Sequence, residues 1–187
     1  MLLAAGLDAR ALRLDWPAGT RVFEVDQPQV MAFKDRALGA AGVAVPAGRK
    51  AVAVDLRDDW SGALLAAGFR AAEPTAWLVE GLLPALTAET GDRLLGELTR
   101  LSAPGSRLAL DHLPQVEAML AVLEAIDPAL QALWNGGPAE PVGAWLGRHG
   151  WSAAVRTTAD AARRYGRAGT PWAGGEAPDA LLVSARR

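Results

Sequence analysis

Three carboxylates at matched positions give this sequence its chemistry. Asp26, Asp55 and Glu80 each follow directly on a short apolar run of strand length: Arg21 to Val25, Lys50 to Val54 and Thr75 to Val79. A fourth run, Met1-Leu2-Leu3-Ala4-Ala5, breaks instead at Gly6, and Asp26 lies twenty residues beyond that glycine. Strand, glycine turn, short helix, strand and terminal acid is how an open α/β sheet builds a nucleotide-type pocket, with the acid on a ribose diol. Ligands of such sheets bind beyond the carboxyl ends of the strands, so three acids there point into one cleft. That cleft repels a phosphate and suits a neutral or cationic ligand with hydroxyl groups to anchor.

Acids also follow strands because they cap the next helix. Any one of the three fits that explanation, but three at matching positions favour a ligand. Asp8 stays open between ligand contact and helix cap, and Gly6 serves a turn whatever the ligand. A dinucleotide fingerprint needs three glycines, and Ala4-Ala5-Gly6-Leu7-Asp8-Ala9-Arg10 has one. Asp8 would also repel a pyrophosphate at the helix start, where dipole and amides favour anions.

Other chemistry is thinly supplied. His112 and His149 are the only histidines, and neither has a metal-ligand spacing. His112, after Asp111 at a strand end, is a candidate base with a hydrogen-bonding role as the plainer alternative. His149 reads as a partner for a helix C-terminus. No serine lies in a Gly-x-Ser-x-Gly elbow, and the absence of cysteine excludes disulfides, thiolate metal sites and a Cys nucleophile. A net charge of −2 gives no electrostatic case for nucleic acid or an anionic membrane. No apolar run reaches the ~20 residues that cross a bilayer, and no signal-peptide pattern opens the chain. The expectation is a soluble, cytoplasmic protein.

The elements that must hold these residues alternate along the chain. Helical patterns over Leu7–Leu14, from Pro28, over Trp60–Ala67 and from Thr87 separate the first four strands and lead to a fifth, Arg107–Leu110. Val30, Phe33, Ala37 and Leu38 form the apolar stripe predicted for the second helix, and Leu94, Leu95, Leu98 and Leu101 that of the fourth. Trp77 belongs in the core. Trp16 and Trp60 stand near the cleft, with core packing the expectation. Gln115 to Leu133 predicts a long amphipathic helix and Val142 to His149 another. Trp151–Thr157 and Ala180–Ala185 predict two antiparallel edge strands, separated by a helix-like Ala159–Tyr165 piece and a Gly/Pro-rich loop. The 187 residues make one domain of class α/β, a mostly parallel, doubly wound, seven-stranded sheet.

The motifs Leu3-Ala4-Ala5-Gly6-Leu7-Asp8-Ala9-Arg10, Phe23-Glu24-Val25-Asp26-Gln27-Pro28, Val54-Asp55-Leu56-Arg57-Asp58 and Val79-Glu80-Gly81-Leu82-Leu83 resemble, in order, those of the leucine carboxyl methyltransferase family. The resemblance is greatest to its actinobacterial branch of S-adenosyl-L-methionine-dependent methyltransferases. It implies a class I methyltransferase, Rossmann-like fold with S-adenosyl-L-methionine across the strand ends. By that likeness Ala4 and Gly6 pass beside the methionine part, Asp26 takes the ribose hydroxyls, Asp55 and Leu56 hold the adenine, and Glu80 lies near the reacting methyl. Glu80 and His112 are the nearest candidates for a general base. The implied reaction is O-methylation of an unidentified small-molecule or protein-carboxylate acceptor. A sulfonium cation suits an acidic cleft, which agrees with the charge reading.

Two residues depart from the family pattern: Ala4 stands where relatives often carry glycine, and Ala85 replaces a tyrosine on the substrate side. Members also carry an N-terminal helical segment whose basic residues grip the cofactor carboxylate, whereas this chain begins at the first strand. The resemblance therefore implies a single domain over 1–187, truncated at the N-terminus relative to the family, with the methionine half of the site weakened. A nicotinamide-dependent oxidoreductase on a similar sheet, and an inactive remnant acting as a binding protein, are the alternatives.

Overall fold

The structure is a computed structural model that describes residues 1–114, 120, 124, 134–167 and 179–187. Most of the helix expected over Gln115–Leu133 and most of the Gly/Pro-rich loop lie outside the described residues. Seven strands, β1 (Leu2–Leu3), β2 (Val22–Asp26), β3 (Arg49–Ala53), β4 (Ala76–Val79), β5 (Arg107–His112), β6 (Ser152–Thr157) and β7 (Leu181–Arg186), form one sheet in the order β3-β2-β1-β4-β5-β7-β6. The first five run parallel, and β7 is antiparallel to both β5 and β6. This is the expected seven-stranded class I methyltransferase architecture. The chain reverses direction between β1→β2→β3 on one side and β4→β5 on the other. That switch point falls between β1 and β4, where open sheets bind ligands.

Side-chain alternation sorts the sheet into two unequal faces. Leu3, Phe23, Val25, Trp77, Val79, Leu108, Leu110 and Val183 project into the main core. Helices α3 (Trp60–Ala66), α4 (Ala88–Arg100) and α5 (Val142–Arg148) close that face with Trp60, Leu64, Leu98, Trp145 and Leu146. The predicted Leu94, Leu95, Leu98 and Leu101 stripe is buried throughout, and the Thr87 hydroxyl caps α4 by accepting the Thr90 N–H. On the other face α1 (Arg10–Arg13) and α2 (Pro28–Ala40) cover a small cluster of Leu2, Ala5, Ala11, Val22 and Met31. A last helix, α6 (Thr158–Arg164), opens on a capping box between Thr157 and Asp160.

One predicted stripe is corrected. α2 turns Met31 and Lys34 inward while Phe33 and Ala37 face solvent, with Phe33 52% exposed. A buried carboxylate on β2, Glu24, draws the lysine in, and hydrophobicity alone does not register that pull. Trp77 and Trp60 are buried as expected. Trp16 is not in the core: it is 44% exposed and lines an open cavity at the strand starts. No described helix is long and apolar enough to cross a membrane.

Candidate functional site

β1 ends at Leu3, and the chain then passes through two left-handed residues, Ala4 (φ 50°) and Gly6 (φ 47°). A Cβ at Gly6 would touch nothing within 4 Å, so the glycine is required by its backbone conformation and not by space. The turn points the Gly6 N–H at the end of β2, where it donates to Asp26 Oδ2 at 2.6 Å. The Gln27 N–H donates to Asp26 Oδ1 at 2.7 Å. The side chain of Gln27 reaches the other way and donates from Nε2 to Asp55 Oδ2 at 3.0 Å.

Asp55 is further held by Arg57. The arginine gives its backbone N–H and Nε to Oδ1, each at 2.9 Å, and its Nη2 to Oδ2 at 2.7 Å. These charge-assisted bonds hold the Asp55 carboxyl well below the usual carboxylate range. Leu56, beside it, is half-buried against the main core.

On the other flank of the turn, the Arg10 N–H and Nε donate to the two oxygens of Asp8, both at 2.6 Å. The far end of the same guanidinium pairs with Glu80. Burial opposes ionisation of Asp8, but the bonds from Arg10 and the nearby positive charges prevail and its carboxyl lies below the ordinary value. The Arg10 guanidinium is correspondingly harder to deprotonate, chiefly through its bond to Asp8. Ala4, Ala5, Asp8, Arg10, Leu78 and Glu80 line an open cavity of about 220 Å³. Asp111 ties the end of β5 to the residue just after Glu80: its Oδ1 accepts the Gly81 N–H at 2.7 Å.

One chain of contacts therefore runs Asp55–Gln27–Asp26–Gly6 and, through the turn, Asp8–Arg10–Glu80. It brings together Ala4, Gly6, Asp26, Asp55 and Glu80. The capping explanation fails for all three acids. α2 opens at Gln27 without a side-chain cap, α3 is capped by Asp59, and α4 by Thr87. Asp8 is joined to the start of α1 through the Arg10 N–H and also lines the cavity, so both of its candidate roles are geometrically available.

His112 stands apart. It is 6% exposed on the core face of β5, where a Cβ at Gly137 would come within 3.1 Å of its imidazole, and it does not line that cavity. Its Nδ1 has no hydrogen-bond partner among the described residues, and burial lowers its pKa despite the opposing charge of Asp111. His149 ends α5 with Nε2 3.4 Å from Asp92 Oδ1, close to the helix-terminal role expected of it.

The model of leucine carboxyl methyltransferase matches residues 1–99, which include every residue of this site except Asp111. The chain belongs to the leucine carboxyl methyltransferase family. A family relative from Parafrankia sp. (strain EAN1pec), provisionally named an S-adenosyl-L-methionine-dependent methyltransferase, is 53% identical over 154 residues, covering 81% of this chain and 50% of the relative. A Mycolicibacterium smegmatis protein of the same provisional name is 47% identical over 177 residues, covering 89% and 58%. The chain thus spans about half to three-fifths of the length of these curated relatives. Among solved structures, magnesium protoporphyrin IX methyltransferase from Synechocystis PCC 6803 with bound SAH aligns over 100% of this chain and 72% of its own, with a TM-score of 0.60 at 16% identity. The CurJ carbon methyltransferase aligns over 99% and 47%, with a TM-score of 0.64 at 16% identity. At such identities the structures carry the fold alone.

Sequence reasoning missed Gln27, Arg57, Arg10 and Asp111 as parts of this candidate site. Gln27 and Arg57 had a signal, since each sits one or two residues from a strand-end acid. Arg10 meets Glu80 across seventy residues and Asp111 meets Gly81 across thirty, so only the sheet order makes them neighbours.

Proposed function

We propose that this chain binds S-adenosyl-L-methionine and forms the cofactor-binding body of a methyltransferase acting on an oxygen of its acceptor. The observation that carries this reading is the linkage of three non-capping strand-end acids to a one-glycine turn at the switch point of the sheet, Asp26 directly, Asp55 through Gln27 and Glu80 through Arg10. Asp26 would hold the ribose hydroxyls, with Gly6 keeping its carboxylate in place. Asp55, Leu56 and Gln27 would hold the adenine. Ala4, Gly6 and Glu80 would flank the methionine part, where acidic side chains favour a positive sulfur.

S-adenosyl-L-methionine, when bound, would supply a methyl group activated by that positive sulfur, transferred in line to the acceptor oxygen with S-adenosylhomocysteine as the leaving group. The protein's part is alignment and exclusion of water. Arg10 keeps Glu80 beside the cavity by pairing with it and with Asp8. Glu80 is therefore the side chain placed to take a proton from an acceptor hydroxyl, and the cavity-remote His112 is not. The relatives' names support the cofactor, and the family name supports an oxygen acceptor.

A nicotinamide reading draws no support from this geometry, since the turn carries one glycine and two acids face the place a pyrophosphate would need. Calorimetric titration of the 187-residue chain with S-adenosylhomocysteine and with NAD(H) tests the choice. Saturable binding of the first and none of the second is expected. Stabilisation by NAD(H) with no response to S-adenosylhomocysteine would reverse it.

A further inference from the structure

Lys34 is one of only two lysines in a chain with nineteen cationic residues, and it is almost wholly buried, 3% exposed. A buried lysine is costly unless its charge is paired and its donors are used. Here Nζ donates to Glu24 Oε2 at 2.8 Å and to the backbone carbonyl of Asp8 at 2.6 Å. Glu24 is fully buried on β2, two residues before Asp26, and also accepts from Arg49 Nε at 2.9 Å. Arg49 in turn pairs with Asp35 on α2 at 3.0 Å. The four side chains sum to zero charge and join β2, α2 and β3.

The Asp8 carbonyl is the member of this network that packing does not explain. It lies in the cofactor turn, two residues after Gly6, and is reached from a helix twenty-six residues away. The turn is thus held to β2 at three points, the first being the Ala5 N–H bonded to the Val25 carbonyl at 3.1 Å. Gly6 N–H meets Asp26 directly, and Asp8 C=O meets Glu24 through Lys34. Beyond Gly6, only the Lys34 bond makes such a tie among the described residues, and without it the segment from Asp8 to Arg10 is freer to move, taking the Arg10–Glu80 pair with it.

We infer that Lys34 is a positioning residue for the cofactor site, fixing the Gly6–Asp8 turn against β2 through its bond to the Asp8 carbonyl. The inference rests on the cofactor reading above. It goes further in assigning a role to a buried side chain on α2 that does not itself line the cavity.

Two variants separate positioning from stability. Lys34→Met keeps the aliphatic stem and removes both bonds. Glu24→Gln keeps an acceptor oxygen for Lys34, so the tie to Asp8 survives while the buried ion pair is lost. Both should lower the unfolding temperature. Only Lys34→Met should weaken S-adenosylhomocysteine binding by tenfold or more, measured well below each variant's own transition. It should also speed amide hydrogen exchange at residues 6–8 by at least tenfold, while Glu24→Gln stays within threefold on both readouts. Should Lys34→Met fail to fold, Lys34→Gln serves with the same expected results, because its amide ends about one bond short of the Asp8 carbonyl. Binding and exchange within threefold of wild type in the folded lysine variant, or equal losses in Glu24→Gln, would overturn the inference. If the wild-type chain itself does not bind S-adenosylhomocysteine, the cofactor reading falls and exchange at residues 6–8 decides the positioning role alone.

Discussion

Gly6 and Asp26, twenty residues apart, are joined by a 2.6 Å hydrogen bond from the glycine N–H to carboxylate Oδ2. A carboxylate held in this way by backbone amides is oriented before any ligand arrives, which lowers the entropic cost of binding one. Asp26→Ala removes that orientation together with the proposed ribose acceptor. Charge-assisted bonds contribute about 1.5–3 kcal/mol each, so S-adenosylhomocysteine affinity should fall roughly tenfold to a hundredfold. Calorimetry checks the loss. Asp26→Asn keeps an oxygen for Gly6 and should lose less affinity than the alanine variant.

The central strands β1 and β2 were legible because parallel strands buried on both faces read as near-continuous apolar runs. The acids were legible because each run stops at one. α4 was legible down to its Thr87 cap, since nothing competes with its leucine period. α2 was not: Glu24, ten residues upstream, pulls Lys34 inside and leaves Phe33 to solvent, a preference set by one buried charge and not by periodicity. The partners of Glu80 and Gly81 were hidden for another reason. Which strand ends lie side by side follows from sheet order, and the residues themselves carry no mark of it.

Ala4 carries strain that a single change relieves. A non-glycine residue in the left-handed region costs about 1–2 kcal/mol, and glycine costs the unfolded chain part of that in return. Ala4→Gly should therefore stabilise the fold by roughly 0.5–1 kcal/mol, read as a higher urea midpoint at an unchanged slope. No change, or a loss, would mean that the turn relaxes around alanine without strain.

His112 makes stability depend on pH in a defined direction. Burial lowers its folded pKa below the ordinary 6.5, so between the two values the unfolded chain binds the extra proton. Its contribution is complete above pH 6.5 and is lost as pH falls toward the folded value. The slope from one such group is at most about 1.4 kcal/mol per pH unit. Urea unfolding of His112→Asn at pH 7.5, 6.5 and 5.5 should show a shallower fall than wild type. An identical fall would place the titration elsewhere.

Arg57 occupies the face of Asp55 that the proposed adenine would need. It spends three donors there, and Gln27 a fourth, so both carboxylate oxygens are engaged. The pair is solvent-exposed on the arginine side, 76% for Arg57, and exposed pairs contribute little to stability. Arg57→Ala should leave the thermal midpoint unchanged while freeing two acceptor positions on Asp55. The expected result is severalfold tighter binding of S-adenosylhomocysteine, with the gain shrinking as salt screens the arginine pair in the wild type. Weaker binding in the variant would instead make the guanidinium a ligand contact in its own right. The adenine would then be held by Arg57 and Gln27 across Asp55, and not by the Asp55 carboxylate alone.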